Sequence, residues 1–240
     1  MVKDSGYSQY CHKYKELVKH VLETGTSVDS RNSKTISIPH YSFTIDDMQS
    51  DHKLLLRKMY YKGVKGEFNT LISKDKLMNV SQFEDNGCNY WDSWADENGD
   101  LNLDYYNELH PALSNMIDQI RRDPESRRHV ISLWNNENAH NDSLSLHCCW
   151  HNLTFSVIGR ELHLTWTQRS VDTMIGLPSD VYLAYLFMKH VAQSCALEIG
   201  SCMFALSNVH IYESHVENAV KLLDRTTDYE DVPLKFELIS

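Results

Sequence analysis

The sequence predicts an α+β protein organised around one large sheet, and three observations predict it. Strand-like and helix-like segments are interspersed without the regular βαβ alternation of a parallel α/β fold. The 240 residues are 42% hydrophobic and 10% aromatic, the profile of a globular chain with a full core. The five prolines and nine glycines are scattered, with no linker, low-complexity tract or internal repeat, so residues 1–240 read as a single domain.

Taken in order, Tyr14–Glu23 places Leu17, Val18, Val21 and Leu22 on one helical face, and Gly25 ends the helix. Thr35–Phe43 alternates as a strand, and Pro39 is expected to break it. Leu54–Tyr61 and Leu71–Phe83 fit neither period cleanly. Trp91–Leu101 is aromatic and acidic, with a turn at Asn98-Gly99. Leu113–Arg122 reads as a helix, and Val130–Trp134, His151–Val157 and Glu161–Thr167 read as strands. The last two flank Gly159, which suggests a hairpin. Val181–Leu197 is a buried helix, and Val216–Leu223 is another helix.

Charge narrows the function classes. Lys and Arg number 23 against 33 Asp and Glu, a formal net charge of −10. A chain this acidic is a poor nucleic-acid coat and a poor ligand for anionic lipid, although a few placed arginines can still hold a small phosphate. No apolar run approaches the roughly 18 residues that span a bilayer, and Met1–Tyr10 lacks the apolar core of a signal peptide. Six cysteines at 11, 88, 148, 149, 195 and 202 form no Cys-x-x-Cys pair, so a cytoplasmic chain with reduced thiols is expected. The thirteen histidines show no H-E-x-x-H spacing, and no metal is expected.

Several short motifs can carry chemistry. Arg31, the pair Arg127-Arg128 and Arg169-Ser170 suit a phosphate, because the guanidinium fork matches its oxygens. Taken singly, each is better explained by surface ion pairing. Cys148-Cys149-Trp150-His151 offers a thiol nucleophile, or two small buried residues entering a strand. Pro178-Ser179-Asp180 opens the long helix, where Ser179 or Asp180 is expected to cap the first-turn amides. His210-Ile211-Tyr212 precedes a helix and also fits a surface strand end.

The order of these pieces is more specific than any one of them. Trp91-Asp92-Ser93-Trp94-Ala95-Asp96-Glu97-Asn98-Gly99-Asp100-Leu101, Asp123-Pro124-Glu125-Ser126-Arg127-Arg128, the Cys149 strand, Gln168-Arg169-Ser170-Val171-Asp172, Gly176-Leu177-Pro178-Ser179-Asp180 and His210-Ile211-Tyr212-Glu213-Ser214-His215 follow one another. Together, from about Tyr14 to Leu223, they resemble the thymidylate synthase family. The resemblance implies a homodimer built on a large twisted mixed sheet flanked by helices. It implies transfer of one carbon from 5,10-methylenetetrahydrofolate to C5 of a pyrimidine nucleotide. It makes Cys149 the nucleophile that adds to C6. Arg31, Arg169 and Ser170 would hold the phosphate, with Arg127 and Arg128 contributed across the dimer interface. His210 and Tyr212 would hold the sugar 3′-hydroxyl, and Trp91 and Asp172 would face the folate. Tyr105 falls on the tyrosine that helps remove the C5 proton, and Glu67 on the glutamate that organises active-site water. Such chemistry is sound, because thiolate addition at C6 makes C5 enamine-like and splits one hard step into easier ones. The surrounding arginines are expected to favour the thiolate.

Three departures bear on substrate and product. Asp180 stands where the family reads uracil with asparagine, an aspartate shared with the bacteriophage deoxycytidylate hydroxymethylase branch. A protonated Asp180 can accept from N4 of cytosine and donate to N3. Trp150 replaces the histidine that follows the nucleophile. Ser240 comes soon after Pro233, without the C-terminal tail that closes over the folate, so water is expected to reach the one-carbon unit. The expected activity is therefore deoxycytidylate 5-hydroxymethyltransferase in host cytoplasm, making a modified DNA precursor. The alternatives are a dCMP methyltransferase giving 5-methyl-dCMP and dihydrofolate, a thymidylate synthase on dUMP, and a non-catalytic nucleotide- or RNA-binding relative.

Overall fold

The computed structural model describes residues 8–30 and 33–225. Seven strands form one mixed sheet: β1 (Thr26–Asp29), β2 (Lys34–Ile45), β3 (Val130–Ser132), β4 (Trp150–Ile158), β5 (Glu161–Gln168), β6 (Val171–Asp172) and β7 (Glu198–Tyr212). Their order across the sheet is β1-β2-β7-β5-β4-β3, with β6 beside the end of β7. The β5/β7 and β6/β7 pairs are parallel and the rest antiparallel, which agrees with the α+β expectation.

The β4–β5 hairpin closes with Ile158 opposite Glu161. Gly159 takes φ +63° in its loop, a left-handed conformation that costs a glycine nothing. Pro39 does not end its strand. The β2/β7 ladder runs on from Ile38–Val209 to His40–Ser207. β1 pairs only as far as Ser37, which leaves one edge of β2 open where proline has no amide to offer. Opposite it, Asn208 sits at φ +45°. The buried positions change parity there, from Cys202, Phe204 and Leu206 to Val209 and Ile211. This kink presents His210 and Tyr212 as half-buried residues between buried ones.

Six α-helices and four short 3-10 helices complete the described fold, the α-helices being α1 (Gln9–Thr24), α2 (Tyr61–Leu71), α3 (Ser81–Asp85), α4 (Leu109–Arg122), α5 (Gly176–Cys195) and α6 (Val216–Leu223). α1 starts ahead of its periodic core, because Ser8 Oγ accepts the Cys11 amide at 3.1 Å and Tyr10 and Cys11 extend the buried face. α5 is apolar on nearly every side and forms the centre of the core. Its Phe187 meets Trp150 and Trp166 of the sheet at 5.7 and 6.3 Å and Phe68 of α2 at 5.1 Å. α5 begins at Gly176, earlier than the sequence suggests, and neither Ser179 nor Asp180 caps it. Asp172 Oδ1 instead accepts the amides of Met174 and Ile175 at 2.9 and 3.3 Å, and Ser179 Oγ bonds back to the Ile175 carbonyl. Gly66 of α2 is crowded: a Cβ there would lie 2.5 Å from the Asn86 carbonyl oxygen and 2.9 Å from the Cys88 amide.

Candidate active site

Cys149 lies immediately before β4, beside an irregularity in the β4/β5 ladder between Trp150 and Asn152. Its carbonyl accepts the Arg169 amide at 2.9 Å. The Arg169 guanidinium reaches back over the same segment: Nε donates to the Cys148 carbonyl at 2.9 Å and Nη2 to the His147 carbonyl at 3.0 Å. Its Cζ lies over the Trp134 ring, 5.3 Å from the centroid. Arg169 therefore fixes the backbone that carries the thiol. Burial pushes the Cys149 thiol up to about 11, Arg169 opposes the rise, and Asp180 and Asp172 add to it. The expected arginine effect is present, but burial outweighs it. Cys148 is buried, and burial pushes its thiol up to about 12.

Two carboxyl groups complete the interior of the site. Glu67 is buried on α2, where Oε2 accepts the Tyr90 hydroxyl at 2.5 Å and Oε1 the Trp91 indole N–H at 3.0 Å. Burial raises Glu67 from 4.5 to about 7, and the two hydrogen bonds hold it from rising further. Asp180, on the second turn of α5, accepts Gln168 Nε2 on Oδ2 at 2.7 Å. Burial raises its carboxyl well above the ordinary range, and the nearby Glu67 and Asp172 charges raise it further. Gln168 Oε1 in turn accepts the Trp166 indole N–H at 3.0 Å. Tyr105 is buried, and its hydroxyl donates to the Leu146 carbonyl at 2.7 Å, just upstream of the nucleophile.

A polar rim adjoins this interior. Asp172 of β6 pairs in register with His210 of β7, and the Thr173 amide donates to the His210 carbonyl at 2.9 Å. His210 Nδ1 lies 2.8 Å from the Asn208 carbonyl, which can only accept. In the neutral ring this places the proton on Nδ1 and leaves Nε2 as an acceptor. The Tyr212 ring stands edge-on to His210 at 5.1 Å. Half-buried Ser170 follows Arg169. A family model for thymidylate synthase matches residues 12–238. The chain belongs to the thymidylate synthase family.

Membership makes this a one-carbon transferase that uses methylenetetrahydrofolate and a pyrimidine nucleotide. The structure brings Cys149, Arg169, Asp180, Asp172, Glu67 and Tyr105 into one electrostatically coupled group, with His210 tied to it through Asp172. Trp91 is largely buried, stacked on Phe83 at 5.0 Å, and half-buried Trp94 leans on it at 5.3 Å. Arg127 and Arg128 stand apart on the exposed turn between α4 and β3, in a shallow cleft with Asp123, Glu125 and Ser126. Arg31, the remaining phosphate candidate, lies outside the described residues, as does the segment 226–240 on which the missing-tail expectation rests. No described helix is long and apolar enough to cross a membrane.

Sequence reading assigned no role to Tyr90, Trp166 or Gln168. Each matters through a bond to a residue that was singled out. Gln168 carried one weak signal, an amide at a core-facing position of its strand next to Arg169.

Proposed function

We propose that this thymidylate synthase family member is a deoxycytidylate 5-hydroxymethyltransferase. One observation carries the reading: the residue we assign to the base is a half-buried carboxyl, held by the Gln168 amide and set beside Glu67 and Asp172, whose charges favour its protonated form. Such a group accepts from the cytosine 4-amino group and donates to N3, whereas ionised aspartate would repel O4 of uracil.

On this reading Arg169, Ser170, Arg127, Arg128 and Arg31 fix the phosphate, and His210 and Tyr212 the sugar, so that C6 meets Cys149. As the sulfur bonds to C6, Asp180 delivers its proton to N3 and C5 becomes enamine-like. Methylenetetrahydrofolate supplies the one-carbon electrophile that C5 attacks. The free oxygen of Asp172 and the Trp91–Trp94 flank suit its polar ring edge and aromatic face. Tyr105, fixed by its bond to Leu146, assists removal of the C5 proton. Loss of the C5 proton breaks the bond between the one-carbon unit and the folate nitrogen, so tetrahydrofolate leaves and a methylene remains on C5. Glu67, poised near neutrality, takes a proton from the water that adds to this methylene, which gives the hydroxymethyl product. As water adds, the electron pair restores the C5–C6 double bond and expels the sulfur from C6 as a thiolate. N3 returns its proton to Asp180, and the thiolate takes back from solvent the proton it gave up before attack.

A homodimer belongs to the same proposal. α5 covers the sheet face that carries Trp150 and Trp166, while Thr44, Thr154, Thr165, Met203 and Ala205 of the opposite parity remain half-exposed. A second copy seated there would cover them and carry Arg127 and Arg128 toward its neighbour's phosphate. Mixing inactive Arg127→Ala/Arg128→Ala protein with inactive Cys149→Ser protein should restore part of the activity after subunit exchange. A monomer in sedimentation overturns the dimer.

The deciding experiment incubates the enzyme with dCMP, dUMP or CMP plus methylenetetrahydrofolate and identifies products by mass. The expected result is 5-hydroxymethyl-dCMP with tetrahydrofolate. 5-Methyl-dCMP with matching dihydrofolate would overturn the product assignment. Turnover of dUMP alone would overturn the base assignment.

A further inference from the structure

We propose that Trp166 is a positioning residue for base choice, because its indole N–H fixes which end of the Gln168 amide faces Asp180. The inference rests on the reading of Asp180 as the group that meets the base.

A glutamine amide can present either its oxygen or its nitrogen to a neighbour, and by itself Gln168 would be free to choose. Trp166 removes the choice. The indole N–H is a donor only, so the Gln168 atom 3.0 Å from it is the carbonyl oxygen. The group 2.7 Å from Asp180 Oδ2 is then the NH2, which can only donate. Oδ2 must therefore accept. Among the described residues Oδ1 has no hydrogen-bond partner, so the carboxyl proton is left on the oxygen available to the base.

The consequence is selective. Cytosine needs an acceptor for N4–H and a donor for N3, which this proton placement provides. Uracil needs a donor at O4 and an acceptor at N3–H, which requires the proton on the oxygen already facing the Gln168 N–H. With the amide reversed, the Gln168 carbonyl would draw the Asp180 proton toward itself and away from N3.

Trp166 is built to hold this line. It is fully buried, and its ring lies 4.8 Å from Trp150 and 6.3 Å from Phe187. One chain of contacts runs from the core to the site: Trp150 packs Trp166, Trp166 orients Gln168, and Gln168 orients Asp180.

Two variants remove the N–H. Trp166→Phe is the simple one. Trp166→benzothienylalanine keeps the ring size, with sulfur in place of N–H, should the smaller ring unfold the core. The dCMP-to-dUMP ratio of kcat/KM should fall about tenfold in the variants, the scale of one hydrogen bond. A second readout is independent of the base. In infrared difference spectra of the free enzyme, the C=O stretch of protonated Asp180, identified by its loss in Asp180→Asn, should move to higher wavenumber once the Gln168 N–H is released. An unmoved band overturns the orientation by Trp166. A moved band with an unchanged ratio overturns its part in base choice. A wild-type enzyme that prefers dUMP overturns the cytosine reading, and with it this specificity role, while the band still reports on the Trp166–Gln168 contact by itself.

Discussion

Glu67 is buried and Asp180 half-buried, the charge of Glu67 raises the Asp180 carboxyl, and the two differ in the donors and charges that face them. Glu67 receives two, the Tyr90 hydroxyl and the Trp91 indole, and is held near 7. Asp180 receives one, from Gln168, and sits well above the ordinary range. Desolvation pushes both upward, and hydrogen bonds to the charged form pull back. The comparison teaches that this fold separates two similar acids by donor count and by neighbouring charge, since Glu67 and Asp172 also push Asp180 upward. On the proposed reading, one exchanges protons with water near neutrality, and the other keeps its proton for the base.

The comparison has functional content only if a thiol acts between the acids, so the largest expected effect lies there. Cys149→Ser should lower turnover by about 10⁴-fold or more while nucleotide still binds, because a serine hydroxyl is far less nucleophilic at neutral pH. Cys148→Ser should stay active; if it is the inactive variant instead, the nucleophile is misassigned. Next comes Asp180→Asn, which removes the held proton. Its dCMP-to-dUMP ratio of kcat/KM should fall about ten- to a hundredfold, as one charge-assisted bond to the base implies. An unchanged ratio would mean that the proton on Asp180 is not used.

Tyr90→Phe sharpens the other side by taking one donor from Glu67. The charged form loses support, so the Glu67 pKa should rise by about one to two units. The rising limb of kcat against pH should move to higher pH, with activity lower at pH 7 and recovered near pH 9. A profile that falls uniformly would reduce Tyr90 to a packing role. The smallest effect is on stability. Glu67 is raised in the folded state from 4.5 to about 7, so the folded protein binds the extra proton. Its stability should therefore fall as pH rises across that window, by about 3 kcal/mol at most. Glu67→Gln carries no such loss. It should melt several degrees above wild type at pH 8 and show no advantage at pH 4, even though turnover is impaired.

Local signals made part of this molecule legible. The apolar α5 and the Gly159 hairpin announce themselves within a few turns of chain, and the Cys149 and Asp180 motifs stand out by their neighbours in sequence. β7 was seen only at its end, because Gly200, Ser201 and Asn208 interrupt its alternation and its partners β2 and β5 are remote. α2 was unread, with Gly63 and Gly66 inside it. Asp180 resembled a helix cap because the turn that replaces one, through Asp172, depends on how β6 meets α5. Tyr90 and Trp166 gain their roles from hydrogen bonds that only tertiary placement creates.

The close approach at Gly66 bears on how such a site could evolve. The chain that presses on this glycine, Asn86 to Cys88, runs directly into Tyr90 and Trp91, the two donors of the neighbouring Glu67. Any side chain at position 66 would push that segment and its donors away from the acid. A lineage exploring residue 66 would have to remodel the 86–88 turn in the same step. Single substitutions there are closed to selection, and the acidity of Glu67 is protected by a residue that bears no functional group.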